Sequence, residues 1–147
     1  VSPILKIVYP GLPPTSNKIY FRGTQLTARA REFAESFSKY SAQNHLHEVN
    51  RLNRGGIYAV HLRFYMDLLN MSWNNPEVAP SRRAKERYKR IDLDNRIKLL
   101  TDCVRDAIDI DDSRFFAGSQ EKHHDPIPEN ARVEVYVQEV DPLDFGF

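Results

Sequence analysis

The chain has 147 residues, a formal net charge of +1, 41% hydrophobic residues and a single cysteine. That length can bury a hydrophobic core without staples, and one cysteine excludes a disulfide scaffold. No apolar run approaches the roughly 20 residues of a membrane span, and no signal peptide or lipidation motif is legible, so a soluble cytoplasmic protein of one domain, 1–147, is expected.

Ile4 to Tyr9 is rich in β-formers and stops at Pro10-Gly11, which predicts a first strand. Pro13-Pro14 holds the chain extended toward Thr15-Ser16-Asn17, and Lys18 to Arg22 reads as a short extended piece. Thr27 is a candidate N-cap for a helix in which Ala30, Phe33, Ala34, Phe37 and Tyr40 keep the spacing of one buried face. The helix should run toward Val49 or Leu52 and end before Gly55-Gly56. From Ile57 to Leu69, Tyr58, Val60, Leu62, Phe64 and Met66 alternate with Ala59, His61, Arg63, Tyr65 and Asp67, the period of a half-buried strand.

Asn70 to Arg90 has no apolar period, carries Pro76 and Pro80, and reads as a long, mobile loop. Ile97, Leu100, Cys103, Val104, Ala107 and Ile108 then define an amphipathic helix, with Cys103 as a core residue on its apolar side. Arg114 to His123 and Val133 to Val140 read as two further strands. The order predicts an α+β fold, a mixed β-sheet with helices packed on one face.

Charge is concentrated in two adjacent blocks of opposite sign. Arg82, Arg83, Lys85, Arg87, Lys89 and Arg90 lie between Ser81 and Arg90 with Glu86 as the one acid. Seven aspartates follow between Asp92 and Asp112, with Arg96, Lys98 and Arg105 as the cations. Close carboxylates repel and raise one another's pKa, and a hard divalent cation relieves that repulsion, so the acidic block suggests a magnesium-type site. A basic loop beside such a site suits phosphodiester chemistry, since the loop neutralises phosphates. Each aspartate also has a plain reading: Asp94 can cap a helix, while Asp111 and Asp112 can serve a turn before Ser113. The groups meet only if the chain after the helix returns past the start of that helix. EF-hand spacing fails at Arg96 and Ile97, and one cysteine with His45, His47, His61, His123 and His124 does not make a zinc pattern.

Asp92-x-Asp94-Asn95-x-x-Lys98, an amphipathic helix and Asp111-Asp112-Ser113, preceded by Pro14-x-x-Asn17, resemble the RusA family of Holliday junction resolvases. The resemblance spans most of the chain and implies a homodimeric crossover junction endodeoxyribonuclease of DNA recombination and repair. Such an enzyme would make paired symmetric nicks in four-way branched DNA with magnesium, or manganese in its place. Carried over by position, it implies Asp92, Asp94 and Asp112 as metal ligands and Lys98 as the cation facing the phosphate. Asp111 competes with Asp112, because the interval from Asp92 is slightly shorter than in the family pattern. DNA contacts are expected from Arg82, Arg83, Lys85, Arg87, Lys89 and Arg90, with Asn17 and Lys18 near the same site. The alternatives are a broader metal-dependent nuclease on flaps, forks or RNA, and a DNA-binding module without catalysis.

Overall fold

The computed structural model describes residues 4–23 and 25–147. Strand β1 spans Ile4–Tyr9, and the first helix, α1, spans Ala28–Asn50. The Thr27 side chain accepts from the backbone N–H of Ala30 at 3.2 Å, so the expected cap forms. Between them, Ser16–Lys18 winds one 3-10 turn, and the extended piece expected over Lys18 to Arg22 is present at Tyr20–Phe21. A short hairpin of β2, Tyr20–Phe21, with β3, Gln25–Leu26, follows it. Its tip places Arg22 and Gly23 at positive φ, the left-handed region such a tight turn requires.

Strand β4 covers Ile57–Met66 and stops short of the expected Leu69. Helix α2 covers Asp94–Ile108, β5 covers Phe115–His124 and β6 covers Arg132–Val140. The four long strands form one mixed sheet in the order β1-β6-β4-β5, antiparallel except for the parallel β4–β5 pair. The arrangement is α+β, as expected. Tyr58, Val60, Leu62, Phe64 and Met66 of β4 enter one core with Phe33 and Phe37 of α1, Leu99, Leu100, Cys103 and Val104 of α2, and Val133, Val135 and Val137 of β6. The opposite face of the sheet carries polar and aromatic side chains. Arg63 lies 4.8 Å from the Tyr136 ring and 3.4 Å from Glu121, and Arg132 pairs with Glu134 at 2.8 Å.

β4, α2 and β5 form a parallel crossover, so the two ends of α2 lie at opposite ends of the sheet. Tyr58 registers with Phe115 at one end and Met66 with His124 at the other. No residue of β5 is buried. Gly118, Gln120 and Lys122 share the core-facing register of Val60, Leu62 and Phe64 yet stay exposed, because the helices cover the other three strands.

The connection between β4 and α2 is long, as expected, and has its own hydrogen bonds. Leu69 bridges Tyr88, Lys89 N–H donates to the Leu68 carbonyl, and Asn70 N–H donates to Arg87. The Asn70 side chain donates to the carbonyls of Glu86 and Tyr88, and the Ser72 hydroxyl accepts from Ala84 N–H. The basic segment is thus the returning limb of a closed loop. No helix among the described residues is long and apolar enough to cross a membrane.

Candidate functional site

The first turn of α2 anchors the site. Asp92 Oδ1 accepts from Asp94 N–H at 2.9 Å in a turn that leads into the helix, and the plain reading of Asp94 as a cap does not hold, because the N-cap position is Leu93. The Asp94 carboxylate, in the first turn of the helix, is exposed and has no hydrogen-bond or ion-pair partner among the described residues. Lys98 Nζ lies 4.8 Å above the Tyr20 ring, a cation–π contact that positions the ammonium without a carboxylate partner. Burial pushes the Tyr20 hydroxyl above its ordinary pKa, with help from the charges of Asp102 and Cys103.

The loop before the hairpin is tied to this turn at three points. Ser16 Oγ donates to the Asp92 carbonyl at 2.7 Å, Asn95 Nδ2 donates to the Ser16 carbonyl at 2.8 Å, and Arg96 Nε donates to the Pro14 carbonyl at 3.0 Å. Asn95 and Ser16 thus clamp the Pro14-x-x-Asn17 loop to the Asp-x-Asp-Asn turn. The junction encloses a cleft of about 510 Å³ lined by residues that include Asn17, Met66, Lys89, Asp92 and Arg96. Lys18 lines a neighbouring groove with Arg29, and Lys122 Nζ donates to the Ile91 carbonyl at 3.2 Å. Lys122 and Arg96 were not foreseen as site residues. An alternation pattern shows that Lys122 lies in a strand, but not that it reaches across to the motif.

The second acidic group lies elsewhere. Asp112 pairs with Arg105 at 3.6 Å, and Arg105 also holds Asp102 and Asp106 near the last turn of α2. Asp111 accepts from Ser113, whose hydroxyl and backbone N–H hold its carboxyl below the ordinary range. Fifteen helical residues at about 1.5 Å each separate this end from Asp94 by roughly 20 Å. The return of the chain past the start of α2, on which convergence depended, does not occur within one chain. Accordingly, no three His, Cys, Asp or Glu side chains among the described residues are grouped to hold a metal.

In the basic loop, Arg90 forms two hydrogen bonds to Glu86, at 2.7 and 3.2 Å, and Lys89 pairs with Asp67 at 3.4 Å. Each carboxyl is held below its ordinary pKa, Glu86 chiefly by Arg90 and Asp67 chiefly by the backbone N–H of Leu69. Arg83 is turned onto the Val78 carbonyl. Arg82, Lys85 and Arg87 are exposed and have no carboxylate partner among the described residues. These three are free to meet an anion.

The family described as Endodeoxyribonuclease RusA matches residues 10–138, and the chain belongs to that family. No curated protein matches the chain.

Proposed function

We propose that this member of the RusA endodeoxyribonuclease family is a magnesium-dependent, structure-selective nuclease that resolves Holliday junctions by paired symmetric nicks. The observation that carries the reading is the extent of the family match. It runs through the cleft loop, the basic loop and both acidic groups.

The donor set is all oxygen and suits a hard cation, but of the three expected ligands one chain places only Asp92 and Asp94 at the first turn of α2, with Asp112 beyond the far end of that helix. A homodimer resolves this if Asp112 of the partner subunit comes to the Asp92–Asp94 end. The exposed edge strand β5 offers a route. Antiparallel pairing with its own copy about a two-fold axis would set the Phe115 end of one strand beside the His124 end of the other. Two equivalent composite sites would follow, which matches the symmetry of paired nicks.

A bound magnesium ion supplies Lewis acidity at a phosphoryl oxygen and a water of lowered pKa. Asp92 and Asp94 would hold that ion, and Lys98, whose ammonium rests on the Tyr20 ring, would add positive charge beside the scissile phosphate. Arg82, Lys85 and Arg87 hold flanking backbone phosphates, and the Ser16–Asn95 clamp keeps the cleft loop in register with the carboxylates. Asp94→Asn should fold and lose cleavage.

The test incubates the wild type and Asp94→Asn with a labelled four-way junction, a linear duplex and a flap, in magnesium or chelator. Paired nicks confined to the junction, dependent on magnesium and lost in the variant, are expected. Equal cutting of all substrates would leave a general nuclease, and binding without cutting would refute catalysis. Mixing Asp94→Asn with Asp112→Asn tests the dimer. A composite site restores one active centre per heterodimer, whereas a site within one chain restores none.

A further inference from the structure

Arg96 is the one buried cation among the described residues, 8% exposed, and no carboxylate pairs with it. It occupies the core-facing side of α2 in line with Leu99, Leu100 and Cys103, where the helical period calls for an apolar residue. It also stands in the first turn, at the positive end of the helix dipole, which disfavours a cation. Burial depresses its pKa, yet a guanidinium stays charged at neutral pH. A buried charge with no counter-charge is costly, so a residue that combines burial with an unfavourable dipole calls for a compensating ligand.

Its surroundings indicate what that ligand is. Nε is engaged by the Pro14 carbonyl, and Nη1 lies 3.8 Å from Met66 Sδ, which is a weak acceptor. The guanidinium lines the cleft of about 510 Å³ together with Asn17, and Leu12, Met66 and Ile91 supply apolar wall. Two acids stand in the wall, and neither pairs with Arg96: Asp67 is engaged by Lys89, and Asp92 accepts from the backbone N–H of Asp94. The cleft therefore combines a charge that lacks an anion with an apolar surface of the size that accepts a sugar or base.

We propose that Arg96 and the cleft beside it form a nucleotide subsite. The guanidinium binds one phosphate of the DNA strand next to the cleavage point, and Leu12, Met66 and Ile91 receive the sugar or base attached to it. The identity of the anion rests on the nuclease reading; the need for an anion does not. Arg96 is a substrate-binding residue in this assignment, distinct from Lys98 at the reacting phosphate.

The experiment compares the wild type with Arg96→Met, Arg96→Lys and Asn17→Ala. Thermal unfolding is followed with and without inorganic phosphate or a short deoxyoligonucleotide, and junction binding is titrated against salt in chelator, where no cleavage interferes. Arg96→Met should unfold at the wild-type temperature or above it, lose the stabilisation by oligonucleotide and reduce the slope of log affinity against log salt by about one. Arg96→Lys should keep that slope, and Asn17→Ala, an exposed change that leaves the charge in place, should keep the slope and weaken affinity. An unchanged slope in Arg96→Met overturns the subsite, as does equal stabilisation of wild type and Arg96→Met by oligonucleotide. If Arg96→Met does not fold, equal slopes and affinities for wild type and Asn17→Ala, with no stabilisation of wild type by oligonucleotide, overturn it instead. A wild type that cuts no junction, yet is stabilised by oligonucleotide only when Arg96 is present, refutes the nuclease reading and leaves the subsite standing.

Discussion

Gly118→Ala tests how β5 is held. A Cβ at residue 118 would sit well inside van der Waals distance of the Val60 carbonyl oxygen and 3.3 Å from its carbon, and both are backbone atoms of β4 that no side-chain rotation can move away. β5 would have to back off from β4 by roughly 1 Å, which stretches the ladder around the contact. Losing two or three ladder hydrogen bonds at ~0.5–1.5 kcal/mol each, less the ~0.4–1 kcal/mol gained because alanine restricts the unfolded chain, leaves about 1–3 kcal/mol of destabilisation. For a chain of this length that is a fall in Tm of about 3–10 °C, read by circular dichroism at several scan rates. Because neither helix covers β5, the loss should be local, and amide exchange should rise along Phe115–His124 before it rises in β6. A Tm within ~2 °C of wild type, with unchanged exchange in β5, would refute the account of this close approach.

Asn70→Ala removes both side-chain bonds that close the basic loop, and trypsin should then cut at Arg82–Arg90 several times faster while the Tm stays nearly constant; an unchanged digestion rate counts against a loop closed by Asn70. Replacing Arg82, Lys85 and Arg87 together by glutamine should reduce the salt slope of junction binding by about three, and an unaltered slope removes the loop from the DNA surface. Cys103, its thiol pushed up to about 12 chiefly by burial, should not react with a thiol reagent at pH 8 until the protein is unfolded, and fast reaction in the native state would contradict its packing. Burial alone would raise the Glu134 carboxyl, but bonds from the Tyr136 hydroxyl and Arg132 outweigh it and lower its pKa in the folded state. Its contribution to stability is therefore full above its ordinary pKa of 4.5 and is lost as pH falls through the folded value. Urea titrations at pH 7 and pH 3.5 should show a smaller acid loss in Glu134→Gln than in wild type, and equal losses would refute that role.

The elements were legible because their signals are local. Alternation marked β4 and β6, the 3.6-residue period marked α2, and Thr27 lay where the cap formed. The acidic motif, the basic run and their adjacency were equally plain, since each is a property of consecutive residues. No local pattern records which end of a helix meets which end of a sheet. The parallel β4–β5 register is what carries Asp112 away from Asp92 and Asp94, and that register depends on pairing between strands about sixty residues apart. Arg96 shows the same division: its sequence position told of a charge among aspartates, whereas packing against Pro14 and Met66 made that charge buried and unpaired. Composition and period determined the parts and their chemistry, and tertiary packing decided which parts face each other, because burial and distance are properties of contacts that the chain makes only once folded.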